Sequence, residues 1–202
     1  MHPQNESELI KAAQKGKLPA FNQLVLQYQG LAYNVAYRVV GDEEMAADAT
    51  QDSFIKAYKA ISQFRGGSFK AWLLRIVTNS CYDLLRKKQR RPTEPLDDLL
   101  VDPDHSSLMT DESESPEDRA LRGELGHAIQ ACIATLPHDQ RAVLVLSDIQ
   151  GMSYQEVASV TGVSVGTVKS RLSRARAKLR DVLQENRELL PHQYRLRDEV
   201  TS

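Results

Sequence analysis

The chain has 202 residues and a mass of 22.7 kDa, enough for one ordinary domain or for two small ones joined by a linker. At 41% hydrophobic and 26% charged residues it has a globular composition, and its formal charge of −1 excludes a uniformly basic surface. The longest apolar run, Ala142 to Leu146, is far shorter than the roughly 20 residues of a membrane helix, and the polar start MHPQNESELIK has no signal core.

A short leading helix is expected near Glu6 to Lys15. Phe21, Leu24, Val25, Tyr28, Leu31, Ala32, Val35 and Val39 then recur at steps of three and four, the period of one helix face, and stop before Gly41-Asp42. Ala47, Thr50, Phe54, Ala57, Tyr58 and Ile61 form a second such stripe, broken at Arg65-Gly66-Gly67. Phe69, Trp72, Leu73, Ile76, Val77 and Leu84 form a third, on a helix that runs into Arg86-Lys87-Lys88-Gln89-Arg90-Arg91 and ends at Pro92. No segment alternates with period two, so this half reads as a bundle of three or four helices.

The loop before the third helix, Phe64-Arg65-Gly66-Gly67-Ser68-Phe69-Lys70-Ala71-Trp72, sets aromatics and cations around a glycine pair. Rings stack on unpaired bases and cations follow the backbone, a combination suited to single-stranded nucleic acid. Phe69 and Trp72 equally suit the buried stripe; Arg65, Lys70, Arg75 and Asn79 fall off it. On the helix before the loop, Glu44, Asp48, Gln51, Asp52 and Ile55 face away from the buried stripe. An apolar residue in an acidic face points to a protein partner, and a solvated face is the alternative.

Charge is segregated. Lys56 to Arg91 carries ten Lys/Arg and one acid; Pro92 to Asp118 carries ten acids, four prolines and no Lys or Arg; Ser164 to Arg180 carries six Lys/Arg and no acid. The middle stretch cannot bury enough surface to offset the entropy of ordering and reads as a flexible acidic linker.

Beyond it, Pro116 opens a helix with Glu117 and Asp118 at its positive end. Leu136-Pro137 ends it, a helix through Val143 and Leu146 follows, and Gly151 stops that one. Ser153 to Glu156 has capping-box spacing. Ser153 to Leu179, SYQEVASVTGVSVGTVKSRLSRARAKL, then reads as a helix-turn-helix. Val157 and Ala158 face inward, Gly162 supplies the turn, Ser164 caps the second helix, and Val165, Val168, Leu172, Ala175 and Leu179 form its buried stripe. Thr161 stands where such turns usually carry a larger apolar side chain. The opposite surface presents Lys169, Arg171, Arg174, Arg176, Lys178 and Arg180, a cationic helix sized for the major groove.

Catalysis is not expected. The five histidines are scattered, no HExxH, P-loop or GxSxG occurs, and no carboxylate pair stands out, so neither a metal nor a cofactor is expected. Cys81 and Cys132 have no CxxC spacing and read as buried small hydrophobes in a reducing compartment.

Taken together these residues resemble the extracytoplasmic-function (ECF) group of bacterial RNA polymerase sigma factors. The resemblance rests on Asp48-Ala49-Thr50-Gln51-Asp52-Ser53-Phe54 with Ala57-Tyr58, Phe64-Arg65-Gly66 to Trp72-Leu73, Asn79, Asp83-Leu84-Leu85-Arg86, and Ser164-Val165-Gly166-Thr167-Val168-Lys169-Ser170-Arg171-Leu172. It implies an all-α chain of two small helical domains, with a region 2 domain over 1–91, the acidic linker over 92–115, a region 4 domain over 116–187 and a tail over 188–202. It further implies a non-enzymatic factor in the bacterial cytoplasm, without membrane insertion, that binds the β and β′ subunits of core RNA polymerase. Asp48, Gln51, Asp52 and Ile55 would dock on the polymerase. Phe64, Arg65, Ser68, Phe69, Lys70, Trp72, Arg75, Asn79 and Arg86 would recognise and open the −10 element as single strands. Ser164, Thr167, Lys169, Ser170, Arg171, Arg174 and Arg176 would read the −35 element as duplex. An anti-sigma partner is a further implication. The 64–69 loop is one residue shorter than the family's usual loop. A conventional helix-turn-helix regulator is the alternative; it would bind palindromic sites without polymerase.

Overall fold

The computed structural model describes residues 3–90 and 116–185. The expected linker over 92–115 and tail over 188–202 lie outside the described residues. Among those described, the chain is all α-helical: α1 (Pro3–Gln14), α2 (Leu18–Val40), α3 (Glu43–Ala60), α4 (Phe69–Arg90), α5 (Pro116–Ala134), α6 (His138–Leu144), α7 (Tyr154–Thr161) and α8 (Val165–Glu185).

Local chemistry sets the boundaries. Pro19 lies in the first turn of α2, where its missing N–H costs nothing, and Gly41 ends that helix in the left-handed region at φ 77°, donating its N–H to Tyr37 O at 2.8 Å. The Asp42 carboxylate accepts the Met45 N–H at 2.8 Å, and Glu43 and Glu44 follow at the positive end of α3. A 3-10 turn over Ile61–Gln63 ends that helix. Gly66 and Gly67 both take positive φ, 96° and 87°, which a side chain would resist, and the Ser68 hydroxyl accepts the Ala71 N–H at 3.1 Å to start α4.

The first unit packs the stripe of α2 (Phe21, Leu24, Val35, Val39) against Leu73, Leu74, Val77 and Cys81 of α4. Ala46, Ala49 and Ala57 bring α3 close in to the same core, as small residues permit. Burial pushes the Cys81 thiol up to about 12, in keeping with an inert core residue.

In the second unit α6 continues into a π-helical turn over Val145–Ile149 before Gly151 (φ 65°) ends it. The expected capping box forms: the Ser153 hydroxyl accepts the Glu156 N–H, and the Glu156 carboxylate accepts from the Ser153 N–H and hydroxyl at 2.9 and 2.8 Å. Gly162, at φ 70°, makes the turn between α7 and α8. Thr161 is tolerated at that turn because its hydroxyl is satisfied within the helix, donating to Val157 O at 2.7 Å.

The two units share an interface in which α4 packs against α7 and the C-terminal end of α2 against α5 and α6. Here carbonyls of the last turn of α2 receive donors from the second unit. Arg141 of α6, 5% exposed, donates to Val39 O at 2.8 Å and to Leu136 O at 3.0 Å, and also bonds Ala134 O. Gln130 of α5 donates to Tyr37 O at 3.3 Å.

Candidate nucleic-acid interface

The exposed face of α8 begins at its cap, where the Ser164 hydroxyl accepts the Thr167 N–H at 3.1 Å and lies 2.9 Å from the Thr167 hydroxyl. Val168, Leu172 and Ala175 are buried, so the opposite face carries the exposed Lys169, Ser170 and Arg174. The helical period brings these together as expected. The other cations divide by their partners. Arg171 is ion-paired to Asp139 at 2.9 Å, and Arg176 grips Asp148 through both nitrogens at 2.9 and 2.8 Å. That carboxylate holds the Arg176 pKa above its ordinary value. The π turn places Asp148, a contact that sequence periodicity does not anticipate. Lys169 and Arg174 have no ion pair among the described residues.

On the first unit, Arg65 and Ser68 are exposed at the glycine loop, and Arg75, Asn79 and Arg86 line up along the exposed face of α4 at helical spacing. Phe64 and Phe69 differ from the expectation. They are 8% and 2% exposed and cluster with the half-buried Trp72, with ring centroids 5.3 to 5.7 Å apart, while Phe69 also meets Tyr28 edge-on at 5.2 Å. Their ring faces are spent on the core and support the loop from beneath; the exposed groups there are polar. Lys70 is also engaged, its ammonium donating to Gln150 O at 3.0 Å across the interface. Asn79, Tyr82 and Arg86 border a cleft of about 580 Å³ between α4 and the start of α6, with His138 and Asp139 opposite.

Asp48, Gln51, Asp52 and Ile55 share one exposed face of α3, as their spacing requires. Asp52 is held by Lys56 at 2.7 Å, and Ser80 of α4 joins the pair, donating to Asp52 at 3.2 Å and accepting from Lys56 at 3.1 Å. Gln51 and Ile55 border an apolar groove of about 700 Å³ between α2 and α3 that also includes Leu18, Val25, Phe54 and Tyr58. Leu18, Ile55 and Tyr58 are 51, 48 and 41% exposed, an apolar patch of the kind that marks a protein contact. Sequence reading found Ile55 and missed Leu18, which sits at a helix start outside any stripe.

Comparison with known proteins matches residues 24–91 to sigma-70 region 2 and residues 126–179 to sigma-70 region 4. The chain is 37% identical to the RNA polymerase sigma-H factor of Pseudomonas aeruginosa over 90% of its own length and 95% of that protein's. It is also 37% identical to the ECF RNA polymerase sigma factor SigE of Mycolicibacterium smegmatis, over 82% of this chain and 62% of that longer protein. Among solved structures, CnrH in complex with the cytosolic domain of CnrY aligns with a TM-score of 0.64 at 33% identity, covering 90% of this chain and 99% of that one. RpoE of Bartonella quintana, in complex with the anti-sigma factor NepR, aligns with a TM-score of 0.63 at 26% identity, covering 82% and 98%. With both sigma-70 regions matched in order and full-length relatives above a third identical, the chain belongs to the ECF group of RNA polymerase sigma factors.

Proposed function

We propose that this chain binds core RNA polymerase in the bacterial cytoplasm and directs initiation at promoters whose −35 element is read by α8 and whose −10 element is opened and held by the 64–68 loop and α4. The observation that carries this reading is the pair of separate basic surfaces, one on a helix-turn-helix and one on a glycine loop continuous with α4. Duplex recognition suits the first: Lys169, Ser170 and Arg174 project from a helix of major-groove size, and the capped helix start favours phosphate. Single-strand capture suits the second. Extruding a base costs a few kcal/mol, which binding of the open strand must offset. With Phe64 and Phe69 buried, Arg65, Ser68 and Asn79 supply that binding by polar contact, and Arg75 and Arg86 follow the backbone.

Polymerase docking is assigned to Asp48, Gln51, Asp52 and Ile55 together with the groove beside them. The functional units are 1–91 and 116–187. Centres of elements at −35 and −10 lie about 85 Å apart, at about 3.4 Å per base pair. Helix α4 is only about 33 Å long and packs directly against α7. Reading both elements at once therefore requires the interface to part. An anti-sigma protein, as in the RpoE–NepR complex, is the expected inhibitor, and it would favour the joined form.

The deciding experiment is reconstitution of the full chain with core polymerase on a DNA library randomised in two blocks, with sequencing of the initiated transcripts. Enrichment of two spaced elements is expected. Tight binding to DNA without polymerase, with no initiation, would instead favour the conventional regulator.

A further inference from the structure

Gln14 stands at the end of α1, outside the residues that match region 2, and its side chain reaches the loop assigned above to the −10 element. Its single amide nitrogen donates to Phe64 O at 2.7 Å and Ile61 O at 3.3 Å, which uses both amide hydrogens. Ile61 O also accepts the Phe64 N–H at 3.1 Å, so the amide closes the 3-10 turn at the point where the chain leaves it. Helix α1 can carry such a brace because it is fixed itself: Ile10 and Ala13 are buried, and Glu6 accepts the Tyr28 hydroxyl at 2.8 Å. Tyr28 in turn packs against Phe69 at the first residue of α4.

The loop is thus tied at both ends. The Phe64 carbonyl is held by Gln14, and Ser68 caps α4. Between them, Gly66 and Gly67 have no heavy atom within 4 Å of where a Cβ would stand. The Cβ direction of each glycine thus opens on empty space, and the anchors at either end are what hold the loop's course. Ordering a residue's backbone costs about 1–2 kcal/mol, so losing one anchor lets Arg65 and the glycine pair sample other positions. Capture of a single base is sensitive to such displacement.

We infer that Gln14 is a positioning residue for the −10 loop, setting through the Phe64 carbonyl which base the 64–68 loop accepts. The inference rests on the functional reading above. Its test uses the full chain, core polymerase and the two-block randomised library, with three variants. Gln14→Met preserves length and helix propensity and removes the donor. Gln14→Lys keeps a donor of similar reach, and Gln14→Glu sets a carboxylate against two carbonyl oxygens. Wild type and Gln14→Lys are expected to select a base at one downstream-block position. Gln14→Met, which loses both donated hydrogen bonds, should weaken that selection at least about tenfold, and Gln14→Glu more, with upstream selection and core affinity unchanged. Full retention of selection in Gln14→Met overturns the inference; so does an equal loss in both blocks, which marks general destabilisation. If the wild-type chain initiates nothing and selects neither block, the functional reading itself falls, and this inference with it.

Discussion

The guanidinium of Arg141, on α6 of the second unit, donates to the carbonyl oxygen of Val39, 102 positions earlier, at 2.8 Å. The contact finishes the last turn of α2 with a donor from α6. Arg141 is buried without a carboxylate partner among the described residues, and burial lowers its pKa from the ordinary arginine value. Carbonyl dipoles at two helix ends stand in for a counter-ion.

Replacing Arg141 with Met should therefore lower stability by about 3 kcal/mol, because it strands three carbonyls, those of Val39 and Leu136 at buried residues and that of Ala134 nearer the surface. Urea unfolding measures this. A loss below about 0.5 kcal/mol, the range of an ordinary surface change, would mean that water serves those carbonyls as well as the guanidinium does.

His138 gives the same interface a pH dependence. Its Nδ1 is buried with no hydrogen-bond partner among the described residues, and the pKa is lowered first by burial and then by Arg141, against a smaller opposing effect of Asp139. Tyr82 and Arg86 face it from α4. A histidine whose folded pKa is depressed stays neutral while the unfolded chain takes up a proton. Stability should thus be constant above about pH 7, fall as pH drops through about 6.5, and level off below the depressed folded pKa. A His138→Gln variant should remove the slope, as followed by melting temperature between pH 7.5 and pH 5, a range in which histidine is the principal side chain to titrate.

Arg174 and Arg176 separate DNA contact from structure. Arg174 is exposed without an ion pair among the described residues, so Arg174→Ala should weaken upstream-element binding and reduce the salt dependence by about one phosphate contact. Arg176→Ala loses first its bidentate hold on Asp148, with a stability cost within about 1 kcal/mol for so exposed a pair and a smaller change in salt slope. Equal salt slopes in the two variants would refute the division.

Ile55 tests the docking surface. Because Ile55 is 48% exposed, Ile55→Asp should leave the melting temperature within about 2 °C of wild type, as a surface change does, and reduce affinity for core polymerase at least tenfold. Fluorescence titration against core enzyme supplies the measurement. Unchanged affinity would remove the α2–α3 groove from the polymerase contact.

Much of this architecture is legible in the sequence because helices announce themselves locally. The stripes of α2, α4 and α8, the break at Gly66-Gly67, the cap at Ser153 and the turn at Gly162 each depend on residues a few positions apart. The helix-turn-helix surface follows from the same period. What escapes is set by distance along the chain. Gln14, Gln130 and Arg141 are polar residues whose partners are backbone carbonyls, and no pattern in their neighbours marks them. Phe64 and Phe69 are ambiguous for another reason: a ring before a basic helix serves equally well as a base platform or as a floor, and only packing against Tyr28 and Trp72 decides. The π turn is likewise unreadable, since Val145 to Ile149 continues an apolar helical run.

The completion of α2 by donors from the other unit also bears on how quiet this protein is at rest. Of the bonds Arg141 makes, parting the units breaks only that to Val39 O, since Ala134 and Leu136 lie in the same unit as Arg141; at about 1 kcal/mol for a hydrogen bond, that contact alone disfavours the parted form about fivefold. A ligand shifts that ratio only by its differential affinity for the two forms. On the function proposed above, that penalty lowers background transcription before any inhibitor acts, and a substitution at Val39's partner would raise it in cells that still make every regulator.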